Sequence, residues 1–82
     1  MRSRDDIKEF IVTEFVPGGV AADIGDDLDL INSGVIDSLG VLNLISALES
    51  ETGLRIEPEE MDSANFASVA KIHAFIEAKS GV

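Results

Sequence analysis

The sequence predicts an all-α fold, a small antiparallel bundle of three main helices plus one short helix, with a long loop between helices one and two. Three stretches place apolar residues at helical spacing, and no stretch alternates apolar and polar residues long enough for a confident strand. A chain of 82 residues is also the length of one compact domain. We therefore treat residues 1–82 as a single domain.

The first helix is predicted from about residue 4 to residue 16. Ser3 is its candidate N-cap, and the two aspartates that follow in the first turn complement the helix dipole. Pro17 begins the Pro-Gly-Gly sequence that ends the helix. The apolar positions that define its buried face are Ile7, Phe10, Ile11 and Phe15.

Residues 17–37 contain four glycines, five aspartates and scattered aliphatic residues, and they predict a long loop held to the core by apolar side chains. Asp23, Asp27 and Asp29 have the spacing of positions 1, 5 and 7 of a calcium-binding loop. The position of the closing bidentate glutamate holds Gly34, so the pattern favours a solvated acidic loop over a calcium site.

The second helix is predicted from Asp37 or Ser38 to Thr52, with Gly53 as its stop. Its core face combines Val41, Leu44, Ile45 and Leu48. Leu42 lies at the border of that face near Ser38, and the opposite side holds Leu39, Asn43, Ser46 and Ser50. Leu39 is thus an apolar residue in polar surroundings, although single exposed leucines are common.

The last apolar stretch predicts a third helix with Ser68 as its cap and Lys79 in its last turn, and its apolar positions are Val69, Ile72, Phe75 and Ile76. Before it, Pro58 and two glutamates predict a short helix or a turn or two. Met61 and Phe66 are the expected anchors of this segment. These two residues, with Leu28 and Ile31, either fill the core or line a cargo pocket, and core filling is the favoured alternative.

Charge and composition exclude several classes of function. The formal net charge of −10 repels nucleic acids and anionic membranes, and would steer the chain toward basic patches on other proteins. The absence of cysteine excludes disulfides, thiolate metal sites and thiol catalysis. Because the N-terminus lacks the apolar stretch of a secretory signal, we expect a cytoplasmic protein, and we expect a monomer.

The segment GVIDSLGVLNLISALE closely resembles the attachment-site motif of acyl carrier proteins and their aminoacyl and peptidyl carrier relatives. The resemblance covers most of the chain, including the closing NFASVAKIHAFIEA. It implies a 4′-phosphopantetheine arm, transferred from coenzyme A to Ser38. It also implies that partner enzymes recognise Asp37, Leu39, Leu42 and Glu49, and that the chain holds no catalytic residue and no metal.

The resemblance implies a free-standing carrier that presents an acyl or aminoacyl thioester to other enzymes. Its partners would be a phosphopantetheinyl transferase, an activating ligase, and downstream transferases or synthases. Fatty-acid carriers usually place an acidic residue where this chain has Asn43, and Arg55 follows the second helix here. A specialised pathway, aminoacyl transfer included, is therefore favoured over housekeeping fatty-acid synthesis.

Two other functions remain open at this point. A non-covalent acidic interaction module would use the same exposed leucines without any arm on Ser38. A hydrolase with Ser38 as nucleophile would need a base and an oxyanion site. The single histidine, His73, lies on the third helix and no GxSxG motif is present, so the sequence disfavours a hydrolase.

Overall fold

A computed structural model of the protein describes residues 3–80. Within this range no residue lies in a strand, and the all-α prediction is confirmed. The helices are α1 (Arg4–Phe15), α2 (Ser38–Thr52) and α3 (Val69–Lys79). Short 3-10 turns, at Ala21–Asp23, Pro58–Glu60 and Ser63–Phe66, lie between them. Of the two alternatives predicted for the segment before α3, a short helix or a turn or two, the structure has the second, as the 3-10 turns Pro58–Glu60 and Ser63–Phe66.

The helix ends follow from their capping residues. Ser3 accepts a hydrogen bond from the Asp6 N–H at 3.1 Å, and Ser68 accepts one from the Lys71 N–H at 3.2 Å. At the C-terminal end of α2, Gly53 adopts a left-handed conformation with φ of 72° and ends the helix. These caps satisfy backbone groups that a helix terminus leaves without partners. For this reason the helix boundaries predicted from the capping residues lie close to those in the structure.

The core consists of apolar side chains from all three helices and from the segments between them. All four residues predicted for the core face of α2 are buried. Leu28 and Ile31 pack against this core, as the core-filling alternative predicts. The buried apolar residues are Ile7, Ile11, Val12, Ile24, Leu30, Ile36, Val41, Leu44, Ile45, Leu48, Ile56, Phe66, Val69, Ile72 and Ile76.

Only one of the two predicted anchors after α2 is part of the core. Phe66 is fully buried, and its ring meets Phe75 edge to face with centroids 5.2 Å apart. Met61 is 38% exposed, so the prediction that it anchors the segment is wrong. The reason is local: Met61 ends the first 3-10 turn, and the chain bends back toward the core only when Asp62 caps the second one.

The long loop between α1 and α2 is held by backbone hydrogen bonds as well as by apolar contacts. The Leu30 N–H donates to the Ala67 carbonyl at 2.8 Å, and the Ala70 N–H donates to the Asp26 carbonyl at 2.9 Å. Within the loop, the Ile36 N–H donates to the Leu30 carbonyl at 2.8 Å. The loop that leads into α2 is thereby fixed to Ala67, just before the Ser68 cap, and to the first turn of α3.

Asp26 and Asp29, two of the acidic residues of the loop, have structural partners. The Asp26 carboxylate lies 2.6 Å from Lys8 Nζ and 3.0 Å from Arg4 Nη1, and the Lys8 hydrogen bond is the main cause of its lowered pKa. The pKa of Asp29 is lowered mainly by the N–H that Asn32 donates. No group of three or more histidine or carboxylate side chains in residues 3–80 could hold a metal ion.

No helix in the described part of the chain is both long and apolar enough to cross a membrane.

Candidate functional site

Ser38 is the first residue of α2 and its side chain is exposed. Its hydroxyl makes no hydrogen bond to any other part of residues 3–80. The preceding residue, Asp37, is the N-cap, and its carboxylate accepts the Gly40 N–H at 2.7 Å. The serine is thus held at a fixed place on the surface while its oxygen stays open to a reagent from outside.

The backbone around Ser38 suits an attached anion. The N–H groups of Ser38 and Leu39 belong to the first turn of α2, where the helix offers them no carbonyl partner. Together with the positive end of the helix dipole, such groups favour a negative charge. Since the hydroxyl is free and donors lie beside it, the residues present fit a phosphodiester on Ser38 Oγ.

Gly40 sets the contact between the start of α2 and the rest of the bundle, a role that the sequence reasoning missed. A Cβ at this buried position would lie 2.9 Å from the Phe15 ring and 3.0 Å from an Ile36 methyl group. The missing side chain lets the end of α1 pack directly on the turn that presents Ser38. A glycine inside a helix costs stability, and that cost is the only sequence signal of a packing role.

Gly40→Ala is expected to lower the free energy of unfolding by about 1–3 kcal/mol, because the new methyl group overlaps the Phe15 ring. Urea denaturation followed by far-UV circular dichroism measures the loss. Gly25→Ala is the matched control, since nothing lies within 4 Å of its added Cβ. Equal stability of the two variants would contradict the packing role.

Leu39 and Leu42 lie on the surface of α2 next to Ser38, with 66% and 55% of their surface exposed. Asn43 and Ser46, the polar residues of the same outer side, are also exposed. The structure thus brings together the serine and the two leucines that the sequence singled out. Their recognition by partner enzymes stays a prediction.

The two carboxylates expected at the site make hydrogen bonds within the bundle. Asp37 caps α2, as described above, and Glu49 is half-buried. The Glu49 Oε2 atom accepts the Ile56 N–H at 2.9 Å and so connects α2 to the segment that follows it. Glu49 lies about 16 Å along the helix from Ser38, at ~1.5 Å per residue. The structure therefore does not place Glu49 beside the serine.

His73 pairs with a carboxylate of its own helix. Its Nδ1 atom lies 3.2 Å from Glu77 Oε1, one helical turn along α3. Since the Ser38 hydroxyl has no hydrogen-bond partner among residues 3–80, neither histidine nor carboxylate stands ready as its base.

A surface cleft of about 290 Å³ lies at the opposite end of α2. Its lining consists of three carboxylates and one ring, from Asp6, Glu9, Phe10 and Glu51. None of the residues considered for a cargo pocket lines it.

The phosphopantetheine attachment site family matches residues 19–76, a range that includes Ser38. The D-alanyl carrier proteins of Lactococcus lactis subsp. cremoris strains MG1363 and SK11 are each 33% identical over 54 residues, which are 66% of this chain and 68% of theirs. That of subsp. lactis strain IL1403 is 34% identical over 53 residues, 65% of this chain and 67% of its own. The solved structure of KstB-PCP in its apo form superposes with a TM-score of 0.83 at 38% identity, covering 98% of this chain and 88% of that one.

Proposed function

Because this chain belongs to the phosphopantetheine attachment family of carrier proteins, we propose that Ser38 is the residue that receives the arm. Proteins of this family are carriers and not enzymes, and their cofactor is a covalent 4′-phosphopantetheine on a serine. The observation that supports Ser38 is its free, exposed hydroxyl at the N-terminus of α2. The whole described chain would act as one carrier domain around this residue.

The attachment is a group transfer to Ser38 Oγ. The new bond joins Oγ to the phosphorus that carries the pantetheine group in coenzyme A. The phosphoanhydride bond breaks, adenosine 3′,5′-bisphosphate leaves, and the hydroxyl proton passes to a base. In this proposal a phosphopantetheinyl transferase supplies that base together with a metal ion, and the hydroxyl itself has no hydrogen-bond partner within residues 3–80. The first-turn N–H groups of α2 then favour the phosphodiester that remains.

We propose an aminoacyl group as the cargo. When attached, the arm supplies a thiol that holds the cargo as a thioester. The support comes from the relatives, which are D-alanyl carrier proteins and a peptidyl carrier protein. Asn43 also stands, uncharged and exposed, where fatty-acid carriers usually have an acidic residue. The partners would be an activating ligase and an acceptor enzyme of a specialised pathway, in the cytoplasm where coenzyme A is available.

The test is the mass of the protein as its own cells make it. We would purify it under mildly acidic conditions, record the intact mass, and release the cargo with hydroxylamine. The expected result is a protein that carries one phosphopantetheine and releases an aminoacyl hydroxamate. Release of a fatty-acyl hydroxamate would overturn the cargo while leaving the carrier function in place. A protein without any arm, from cells whose other carriers are modified, would overturn both.

A further inference from the structure

The last part of the long loop, residues 29–36, forms a turn that we call the Asp29 turn. The carboxylate of Asp29 accepts three hydrogen bonds inside it, from the Ile31 N–H at 3.2 Å, the Asn32 N–H at 2.9 Å and Asn32 Nδ2 at 2.7 Å. The Asp29 carbonyl accepts a further one from the Ser33 N–H at 3.1 Å. An aspartate on the surface thus holds its own turn together.

The Asp29 turn ends in direct contact with the first turn of α2. The Ile36 N–H donates to the Leu30 carbonyl at 2.8 Å and closes the turn, and both side chains are fully buried. A Cβ on Gly40 would lie 3.0 Å from an Ile36 methyl group, so Ile36 packs closely on the start of the helix. Because Ser38 lies between Ile36 and Gly40 in the chain, its position depends on how the turn closes.

The two ends of the Asp29 turn are fixed by the core, whereas its middle is not. Leu30 is held from outside the turn as well, since its N–H donates to the Ala67 carbonyl at 2.8 Å. The residues in the middle, Asn32, Ser33 and Gly34, are exposed, so burial does not hold them. The hydrogen bonds to the Asp29 carboxylate restrain this exposed part.

On the premise that Ser38 is the attachment site, we propose that Asp29 is a positioning residue for the transfer of the arm. Its carboxylate touches none of the reacting atoms, but through the Asp29 turn and Ile36 it fixes the place of Ser38 Oγ. The transfer forms the bond from Oγ to phosphorus and breaks the phosphoanhydride bond of coenzyme A. Adenosine 3′,5′-bisphosphate leaves, and the hydroxyl proton passes to a base of the transferase.

Such a transfer is sensitive to small changes in the place of Ser38 Oγ. The oxygen must lie about 3–3.5 Å from the phosphorus and in line with the leaving group, and an error of about 1 Å can cost about a hundredfold in rate. The side chains exposed on α2 stay the same when Asp29 is replaced. The rate of transfer in the bound complex should therefore fall, while the binding of the carrier to the transferase changes little.

The test measures how fast the intact protein gains the arm at increasing concentrations of carrier, with coenzyme A, magnesium and a broad-specificity transferase. Asp29→Ala should lower kcat about tenfold or more and change KM by less than about threefold. Asp27→Ala is the matched control, because it removes the same charge from the same loop. The Asp27 carboxylate is exposed and makes no hydrogen bond or ion pair with any other part of residues 3–80, so kcat should stay unchanged.

Asp29→Asn separates the geometry of the turn from its charge. One atom of Asp29, Oδ1, accepts both backbone N–H groups, and asparagine keeps this acceptor as its amide oxygen. The Asn32 amide can turn over and offer its own oxygen to the new amide group. We therefore expect Asp29→Asn to keep most of the wild-type kcat although the charge is gone.

Hydrogen exchange shows whether the turn has opened. The Ile36 N–H should exchange faster in Asp29→Ala than in Asp29→Asn or Asp27→Ala, and far-UV circular dichroism should show all three variants folded. A folded Asp29→Ala protein with the wild-type kcat, or with unchanged exchange at Ile36, would overturn the positioning role.

Two further outcomes would also overturn the positioning role of Asp29. An equal loss of kcat in Asp29→Ala and Asp29→Asn would mean that the charge matters and not the turn. A rise in KM alone would mean that the transferase contacts Asp29 directly. A wild-type protein that gains no arm would overturn the attachment at Ser38 together with this role, whereas the outcomes above leave the attachment in place.

Discussion

Replacing Ser38 with alanine is expected to abolish the gain of phosphopantetheine completely. The wild-type protein, incubated with coenzyme A, magnesium and a broad-specificity transferase, should gain one arm in its intact mass. The loss is total because alanine leaves no nucleophile at the start of α2, and the other hydroxyls of this helix lie two or more turns away. Ser50→Ala is the matched control, an exposed serine near the other end of the same helix, and it should be modified as fast as the wild type.

Two outcomes would contradict this assignment. An arm on the Ser38→Ala protein would mean that another serine is the site, and fragmentation of the modified chain would locate it. A wild-type protein that gains nothing, while a known carrier is modified in the same experiment, would favour the interaction module, in which the exposed leucines work without an arm. In that case Ser38→Ala should leave partner binding intact.

The second large effect is on stability. Phe66→Ala is expected to lower the free energy of unfolding by about 3–5 kcal/mol, because a fully buried ring is removed and its contact with Phe75 is lost. A domain of this length has a total stability of about 4–12 kcal/mol, at ~0.05–0.15 kcal/mol per residue. The variant should therefore lose a large fraction of its total stability, which urea denaturation followed by far-UV circular dichroism would show as a much lower midpoint.

Met61→Ala is the control for this prediction, since Met61 lies five residues earlier and is 38% exposed. We expect its effect to stay within about 0.5 kcal/mol, the usual range for surface positions. If both variants lost similar stability, Met61 would be buried in solution, and the arrangement of the two 3-10 turns would differ from the one described.

The parts of the fold that the sequence predicted well depend on local interactions. The limits of α2 follow from Asp37, whose carboxylate caps its start, and from Gly53, whose left-handed conformation ends it. The core face of the same helix follows from the period of its aliphatic residues, because a helix repeats every 3.6 residues whatever it packs against. The motif predicts Ser38 as the attachment site; the structure describes its exposure and its position at the helix terminus, and the role itself stays a prediction.

The parts that sequence reasoning missed depend on contacts between distant residues. Gly40 matters because Phe15, on another helix, approaches it closely. The Glu49 carboxylate turns to Ile56 only because Gly53 reverses the chain between them. Met61 lies in a segment of 3-10 turns, which have no sustained period that could tell an inward residue from an outward one. Such features require the assembled bundle and cannot be read from local pattern.

The backbone hydrogen bonds that join the loop to Ala67 and to the first turn of α3 also imply an order of folding during synthesis. Asp26 and Leu30 emerge from the ribosome well before Ala67 and Ala70, the residues to which their backbones bind. The loop that leads to Ser38 therefore cannot settle until almost the whole described chain has been made, since domains of this size fold as units. We therefore expect the arm to be attached to the completed domain. A nascent chain that lacks α3 would hold Ser38 on a helix whose preceding loop is not yet fixed, and we expect it to escape modification.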